Sequence, residues 1–178
     1  QGDVLAITGT NGKTTTTTLL GEIMKQYKES VFVVGNIGNP YTDETVKTEK
    51  DSVTVAEISS FQLETIHAFR PVVSAILNVT PDHLDRHHTM ENYVKAKEDI
   101  ARNQTKADVC VLNYEDEYTR AFAKRCQATP VFFSSAQELE NGFYYKDEFI
   151  YKATDGNAER LMNIHEMTLL GIHNVENV

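Results

Sequence analysis

The sequence has little that would support a nucleic-acid partner or a disulfide framework. Its 17 Lys and Arg residues are outnumbered by 26 Asp and Glu residues, which gives a formal net charge of -9. No Lys/Arg cluster is present that could neutralise a polyphosphate backbone, so we expect no nucleic-acid partner. The only cysteines, Cys110 and Cys126, lie in no CxxC or metal-ligand pattern. They are therefore expected to be reduced packing residues of a cytoplasmic protein.

Long hydrophobic runs are also missing. No apolar run approaches the roughly 20 residues that span a bilayer, and no basic, apolar and small-residue series marks a signal peptide, so we expect no membrane association. The 178 residues contain no internal repeat or low-complexity linker, which predicts one compact domain. The chain begins at Gln1 without methionine and enters an apolar segment within three residues. We therefore expect it to be part of a longer protein.

Short β-branched runs that alternate with amphipathic segments predict an α/β fold with a mostly parallel sheet. The runs are residues 4–8, 31–36, 52–59, 73–79 and 108–113. They are uniformly apolar, which favours strands covered by helices on both faces. After the first run, apolar residues recur at helical spacing: Leu19, Leu20, Ile23, Met24 and Tyr27. From Gly142 onwards, two aromatic runs separated by "KDE" and then "TDGN" indicate a small antiparallel meander near the C-terminal end.

The stretch "GTNGKT", residues 9–14, is a variant of a phosphate-binding loop. Gly12-Lys13-Thr14 matches the end of the Walker pattern, but the earlier glycine is Gly9, and Ile7 stands five positions before Gly12. Backbone N–H groups there could converge on phosphate oxygens at a helix N-terminus, with Lys13 adding charge and Thr14 offering a hydroxyl to Mg²⁺. The alternative is a glycine-rich turn without a ligand. The threonines at 15 to 18 are interpreted as helix-surface and sheet-contact residues.

Glu57 lies near the C-terminal end of a predicted strand, in "AEISSFQLE". Ligands of open α/β sheets gather at the carboxyl ends of the strands, so Glu57 could reach the same metal as Thr14. It could instead cap the helix that follows. Ser59 and Ser60 also resemble N-cap residues, for a helix over "FQLETIHAF".

The stretch "TPDHLDRHH" packs several polar residues together after the fourth run. His83 is ambiguous, because Mg²⁺ prefers oxygen ligands and imidazole suits softer metals. We interpret His87 and His88 as part of a polar surface loop.

The next segment, "TMENYVKAKEDIARN", predicts a helix with one inward lysine. Lys97 shares a face with four apolar or aromatic residues, namely Tyr93, Ala96, Ile100 and Ala101, whereas Lys95 points to solvent. A lysine on such a face commonly extends its charge to the surface or meets a carboxylate. Sequence spacing alone leaves these explanations open.

Taken together and in this order, the motifs resemble the Mur ligase family, the ATP-dependent amide ligases that build the peptidoglycan stem peptide. The matching stretches are "ITGTNGKTT", "GNIG", "EISSFQLE", "LNVTPDHLDRH", "YVKAK" and "GIHNVEN", which span nearly the whole chain. Within the family, "SSFQLE" and "GNIG" most resemble the member that adds D-glutamate. The resemblance implies a P-loop NTPase-like fold and makes residues 1–178 the central ATP-binding domain, without the N-terminal UDP-binding and C-terminal amino-acid-binding domains.

The resemblance also implies roles for individual residues. The nucleotide-binding set would be Gly9, Thr10, Asn11, Gly12, Lys13, Thr14, Thr15, Asn174 and Asn177, the last two near the adenine. Thr14 and Glu57 would hold one Mg²⁺. Lys97 would be carbamylated and hold a second Mg²⁺ with His83, because a carbamate offers the oxygens that Mg²⁺ prefers and an ammonium does not. Substrate contacts would come from Asn36, Ser59, Gln62 and His83, and the catalytic set would be Lys13, Glu57, His83 and Lys97.

The implied reaction joins D-glutamate to UDP-N-acetylmuramoyl-L-alanine through an acyl phosphate, in peptidoglycan precursor synthesis. ATP and two Mg²⁺ ions would be required, in a cytoplasmic and monomeric enzyme. Without the other two domains, the isolated chain is expected to bind ATP weakly and to make no amide bond. The alternatives are another Mur or folylpolyglutamate-type ligase, a P-loop phosphotransferase, or a nucleotide-binding module without chemistry.

Overall fold

A computed structural model describes residues 2–36, 38–167 and 174–178, and within them it places nine strands in one sheet. The strands are β1 (Asp3–Thr8), β2 (Val31–Gly35), β3 (Val53–Glu57), β4 (Val73–Ile76), β5 (Val109–Asn113), β6 (Thr129–Ser134), β7 (Gly142–Lys146), β8 (Phe149–Thr154) and β9 (Asn157–Asn163). Their order across the sheet is β2-β3-β1-β4-β5-β6-β7-β8-β9. Neighbours from β2 to β7 pair in parallel, and β8 and β9 add antiparallel pairs. The mostly parallel sheet and the terminal meander are both confirmed.

Each of the five apolar runs contains a strand, but the sequence did not predict β6. Pro130 lies inside β6, opposite Cys110, and a proline within a run argues against a strand because it cannot donate to the ladder.

The two meander turns have backbone conformations that match their sequences. Residues Asp147 and Glu148 (φ 47 and 68) and Asp155 and Gly156 (φ 49 and 76) occupy the left-handed region, as two-residue hairpin turns of type I′ require.

Six α-helices are present in the described residues. They are α1 (Lys13–Met24), α2 (Tyr41–Glu44), α3 (Ser60–Leu63), α4 (Leu84–His87), α5 (Met90–Glu98) and α6 (Glu117–Ala123). The helix expected over "FQLETIHAF" is thus a single turn. No helix among the described residues is both long enough and apolar enough to cross a membrane.

Helix α1 follows only part of the apolar face that its spacing predicts: Leu20 and Met24 pack against the cluster around Ile7. Ile23 is 42% exposed, and Tyr27 lies beyond the helix end and is 77% exposed. The buried positions are Thr17 and Gly21. A Cβ built on Gly21 would lie 2.4 Å from the Val33 side chain, so the missing side chain lets α1 lie close against β2.

The core lies on both faces of the sheet. Alternate residues of β1 enter different clusters, Val4 and Ala6 on one face and Leu5 and Ile7 on the other, because successive side chains of a strand point to opposite sides. Helix α1 supplies side chains to the Ile7 cluster, whereas α5 and α6 supply the cluster around Val4. Helices therefore cover both faces, as expected. All carboxyl ends from β1 to β6 meet at one edge, where the loops after β1, β2, β3 and β4 come together.

Candidate active site

The loop of residues 9–12 joins the end of β1 to the start of α1. Gly12 precedes the first helical residue with φ 83 and ψ -13, a left-handed conformation that glycine adopts at little cost. A Cβ at this position would also lie 2.3 Å from Asn177 Oδ1. The free N–H groups at the N-terminus of the twelve-residue α1 make this a favourable place for an anion.

Asn78, which sequence reasoning missed, braces this loop from the segment after β4. Its Oδ1 accepts hydrogen bonds from the backbone N–H groups of Thr10 (3.1 Å) and Asn11 (2.8 Å), and its Nδ2 donates to Asn11 O at 3.2 Å. One amide side chain therefore fixes two peptide units of the loop. The asparagine of "LNVTPDH" has no spacing pattern that links it to Asn11 and Thr10, which lie 67 and 68 positions earlier.

Lys13 folds back over the same loop. Its Nζ donates to Gly9 O at 3.0 Å and to Thr10 O at 2.8 Å. The ammonium group therefore lies above the loop whose amides would meet an anion. That Lys13 contacts the phosphates of a nucleotide stays a prediction.

Glu57, the last residue of β3, connects the start of α1 to the segment after β2. Its Oε2 accepts a hydrogen bond from Thr14 Oγ1 and its Oε1 accepts one from Asn36 Nδ2, both at 2.9 Å. The residue is only 1% exposed, and within the described ranges no cation forms an ion pair with it. Buried carboxylates are normally paired or bound to a metal. The surroundings therefore fit a divalent cation held by Thr14 and Glu57.

The helix-cap alternative for Glu57 is wrong. Ser59 is the N-cap of α3: its side chain accepts from the backbone N–H of Gln62 at 3.3 Å, and Gln62 Oε1 accepts from Ser59 N at 2.8 Å. This is a complete capping box, so α3 needs no further carboxylate. Ser60, the other expected cap residue, is the first helical residue and is buried.

Lys97 lies inside the protein, and Lys95 is exposed, which confirms the inward face expected for α5. Lys97 is 2% exposed, and its Nζ donates to Gly9 O at 2.7 Å. Nζ also lies 4.6 Å from the centre of the Tyr93 ring. The lysine thus neither extends to the surface nor meets a carboxylate among the described residues.

The pKa of Lys97 is lowered from 10.5 to about 7. Burial is the main cause, the positive charge of Lys13 adds to it, and Asp82 opposes it. A substantial neutral fraction near pH 7 makes this amine a nucleophile, which an ordinary surface lysine is not.

His83 stands directly before α4, with φ 51 and a side chain that is 49% exposed. Its Nε2 lies 3.4 Å from Asp82 Oδ2, and its ring centre lies 5.0 Å from that of Phe61. Across the described residues, no group of three or more His, Cys, Asp or Glu side chains converges as it would around a metal. The second metal site, with His83 and a modified Lys97, stays a prediction.

The two asparagines near the C-terminal end lie against the start of α1. Asn177 Nδ2 donates to Asn174 Oδ1 at 2.9 Å, and Thr16 Oγ1 donates to Asn177 O at 3.2 Å. Asn174 is 8% exposed. These contacts bring Asn177 to Gly12, although residues 171–173 of "GIHNVEN" and Ile37 of "GNIG" lie outside the described residues.

The interpretation of His87 as a surface residue is wrong, whereas His88 is exposed as expected. His87 is 4% exposed. Its Nε2 lies 3.0 Å from Ser60 Oγ, and its Nδ1 lies 3.3 Å from Glu64 Oε1. Burial is the main cause of a lowered pKa for His87, despite the opposing charge of Glu64. Residues with positive φ, His83 and His88, lie on either side of α4, and polarity alone could not reveal that His87 between them faces inward.

Comparison with known proteins extends over nearly the whole chain. The family described as "Mur ligase middle domain" matches residues 7–178. The UDP-N-acetylmuramoylalanine--D-glutamate ligase of Lachnospira eligens is 62% identical over 179 residues, which cover 100% of this chain and 40% of that protein. The ligase of the same name from Clostridioides difficile is 50% identical over 173 residues, or 97% of this chain and 38% of that protein. The chain thus spans about 40% of the length of these curated relatives.

Solved structures share the fold. A UDP-N-acetylmuramoyl-L-alanyl-D-glutamate--2,6-diaminopimelate ligase superposes with a TM-score of 0.74 at 24% identity, over 99% of this chain and 41% of that chain. The MurF ligase from Thermotoga maritima in complex with ADP superposes with a TM-score of 0.64 at 22% identity, over 92% of this chain and 41% of that chain. At such low identity, these two structures support the fold.

Proposed function

The chain belongs to the Mur ligase family, and from that premise we propose that it is the central ATP-binding domain of an enzyme that adds D-glutamate to UDP-N-acetylmuramoyl-L-alanine. The curated relatives that carry this activity in their names support the choice of amino acid. In the proposal, an N-terminal UDP-binding domain and a C-terminal amino-acid-binding domain complete the enzyme. The isolated chain therefore folds and binds ATP weakly but makes no amide bond.

One observation carries the proposal: the buried Lys97 amine is held against the same loop that Lys13 covers. Both ammonium groups donate to Gly9 O. A phosphotransferase or a simple nucleotide-binding module needs Lys13 and Thr14 but has no evident use for a second, buried amine with a pKa near 7. A family whose phosphoryl transfer uses a carbamylated lysine does.

In the proposed reaction, the loop amides and Lys13 hold the β- and γ-phosphates of ATP. A carboxylate oxygen of the substrate's L-alanine attacks the γ-phosphorus, the bond from that phosphorus to the β,γ-bridging oxygen breaks, and ADP leaves. The amine of D-glutamate then attacks the acyl carbon of the acyl phosphate, loses a proton, and displaces inorganic phosphate. Positioning and charge stabilisation account for most of the catalysis, and no covalent enzyme intermediate is needed.

The proposal assigns two cation sites to the chain's own residues. Thr14 and Glu57 would hold one Mg²⁺, and His83 with a carbamylated Lys97 a second, which together neutralise charge on the transferred phosphoryl group when bound. The carbamate forms when the neutral Lys97 amine attacks CO₂ and releases a proton. Asn36, Ser59, Gln62 and His83 would contact the muramoyl substrate, and Asn174 and Asn177 the adenine region.

A hydroxylamine trap tests the proposed chemistry. The full-length parent enzyme is given ATP, Mg²⁺, UDP-N-acetylmuramoyl-L-alanine and hydroxylamine without D-glutamate, and the hydroxamate of the L-alanine carboxyl is measured by mass spectrometry. We expect an ATP-dependent hydroxamate that D-glutamate suppresses. Its absence from an enzyme that still forms the amide would refute the acyl phosphate. A preference for L-lysine or diaminopimelate over D-glutamate would refute the substrate assignment.

The two lysines of α5 provide a matched pair for the carbamate. Stripping bicarbonate and CO₂ at moderately low pH should lower the parent's activity, and restoring bicarbonate should recover it. Lys95→Ala should keep this dependence, whereas Lys97→Ala should remove both the activity and the dependence. Density that ends at the Lys97 amine in an ordered Mg²⁺ complex prepared with bicarbonate would rule out the carbamate.

The proposed setting of the reaction is the cytoplasm. The two cysteines lie in no disulfide-framework or metal-ligand pattern, which supports a reducing compartment. That the enzyme acts as a monomer stays a prediction.

A further inference from the structure

His87 lies where α3, α4 and α5 meet, the helices that contain or directly follow Ser59, Gln62, His83 and Lys97 of the proposed ligase, yet the reaction above does not use it. Its ring lies between α3, which begins after Ser59 and contains Gln62, and α5, which carries Lys97. It is also the last residue of α4, which begins after His83. The contacting side chains form what we call the His87 cluster: Ser60, Phe61, Glu64, His87 and Tyr93.

The two ring nitrogens of His87 have different partners on α3 and just beyond it. The carboxylate of Glu64, 3.3 Å from Nδ1, favours a proton on that nitrogen. Nε2 is then an acceptor for the Ser60 hydroxyl at 3.0 Å. Glu64 is held in turn by Arg86, whose Nη2 donates to Oε2 at 2.7 Å. Serine, histidine and glutamate in this arrangement resemble a hydrolase triad.

A nucleophilic role for Ser60 is excluded by its burial. Ser60 is 3% exposed and lies in the first turn of α3, so no substrate carbonyl can reach its hydroxyl. The oxygen and both ring nitrogens are occupied within the protein. The polar contacts of the His87 cluster therefore fix relative positions and perform no bond-making.

The ring faces of His87 extend the connection to α5. Phe61 stacks on the ring at 5.5 Å between centres and an angle of 10°, and Tyr93 packs against it at 5.1 Å. Tyr93 is the ring over which the Lys97 amine lies. The backbone carbonyl of His87 also accepts from Asn92 Nδ2 at 2.9 Å. A shift of His87 would therefore move α3 and the Lys97 side of α5 relative to each other.

We propose that His87 is a positioning residue, which holds α3 and the His83 segment in register with α5 and so shapes the side of the site that binds the muramoyl substrate. This rests on the proposed function. The phosphate loop touches this cluster at one point, where Tyr93 Oη lies 3.1 Å from Thr10 Oγ1. Its three hydrogen bonds with Asn78 hold the loop backbone independently of His87. Loss of His87 should therefore weaken binding of the muramoyl substrate and leave ATP binding nearly unchanged.

Steady-state kinetics of the full-length parent test this with His87→Gln, with Ser60→Ala as a second variant, and with His88→Gln as the control. For His87→Gln we expect the KM for UDP-N-acetylmuramoyl-L-alanine to rise about tenfold, as the loss of a buried hydrogen bond and its packing would give. Ser60→Ala should raise the same KM in the same direction by a smaller factor. For both variants, the KM for ATP should stay within about twofold. His88→Gln should change neither KM.

Hydrogen exchange in the substrate-free parent supplies a readout that does not depend on the reaction. His87→Gln should speed exchange in residues 59–64 and 82–89 and leave residues 9–14 unchanged. The positioning role is refuted if His87→Gln has wild-type KM values for ATP and the muramoyl substrate and wild-type exchange in residues 59–64 and 82–89. It is also refuted if the only change is a fall in kcat in proportion to the folded fraction, because His87 would then contribute to packing alone. A wild-type parent that makes no amide from D-glutamate would instead refute the proposed function, and the exchange pattern would still decide the role of His87.

Discussion

Replacing Lys97 by Met should make the chain more stable at neutral pH, because the wild-type residue is a cation held in the interior. Its pKa falls from 10.5 to about 7, and at 1.36 kcal/mol per pH unit this corresponds to a cost of about 5 kcal/mol for placing the amine there. Met has a similar length and no charge, but it loses the hydrogen bond to Gly9 O, which is worth roughly 1.5–3 kcal/mol for a charged donor. We therefore expect a net gain of about 2–4 kcal/mol at pH 7.

The pH dependence has a definite sign. The folded-state pKa lies below the unfolded one, so between about pH 7 and 10.5 the unfolded chain binds more protons than the folded chain. Wild-type stability therefore rises with pH in this window and is independent of this group below pH 7. From pH 7 to pH 9 the advantage of Lys97→Met should shrink by about 2–3 kcal/mol.

Urea unfolding of the 178-residue chain, in metal-free and CO₂-free buffer at pH 7 and pH 9, measures both effects. Lys95→Met is the matched control, because Lys95 lies two residues away on the exposed face. It should change the free energy of unfolding by no more than about 0.5 kcal/mol at either pH. A Lys97→Met chain that is less stable than wild type at pH 7, or a difference that does not change with pH, would show that Lys97 is not a desolvated amine.

Three further perturbations give separate tests. Lys13→Ala should abolish turnover of the parent and lower the urea midpoint far less, because the loss of its hydrogen bonds to Gly9 O and Thr10 O is offset in part by relief of its repulsion with Lys97. Unchanged turnover with a lowered midpoint would contradict this prediction. Gly35→Ala should lower the free energy of unfolding by more than about 3 kcal/mol, because a Cβ there would lie 2.0 Å from Glu57 O. The control Gly156→Ala, with φ 76 but no atom within 4 Å of the new Cβ, should lower it by only about 1–2 kcal/mol. Equal losses of stability in the two variants would refute the clash. Burial raises the pKa of Asp108, but hydrogen bonds from Thr105 and Arg70 outweigh burial and lower the pKa. This carboxylate therefore stabilises the fold above its unfolded pKa, and its contribution falls as pH falls. Arg70→Met should destabilise the chain clearly at pH 7 and less at pH 3, and an equal loss at both pH values would contradict this.

The sequence predicted those features of the fold and site that follow from local spacing or from a general rule of sheet topology. The inward face of α5 followed from helical spacing, and the approach of Glu57 to Thr14 followed from the rule that parallel strands end at one edge. The resemblance to a known family then supplied roles that no spacing rule contains, such as the carbamate.

The structure added what depends on distant residues and on unusual backbone. The polarity of "DRHH" suggested a surface loop, but His87 is buried. It lies between two residues with positive φ, His83 and His88, and such angles are uncommon for residues other than glycine. The brace from Asn78 joins residues 67 and 68 positions apart. No local pattern encodes a contact of that range.

The brace from Asn78 also makes the shape of the phosphate loop depend on the order in which the sheet forms. The loop follows β1 directly, but it obtains its three hydrogen bonds with the Asn78 side chain only when β4 has paired with β1 and brought Asn78 alongside. Bringing β4 to β1 closes a long stretch of chain, and this costs conformational entropy before the contacts between the strands form. We therefore expect β4 to pair with β1 after α1 has formed. A nucleotide that requires the braced loop would bind only chains in which β4 is docked, and at 100 times its Kd would stabilise them by about 2.7 kcal/mol. Retention on immobilised nucleotide would thus separate chains with a completed central sheet from those in which only the first βα unit has formed.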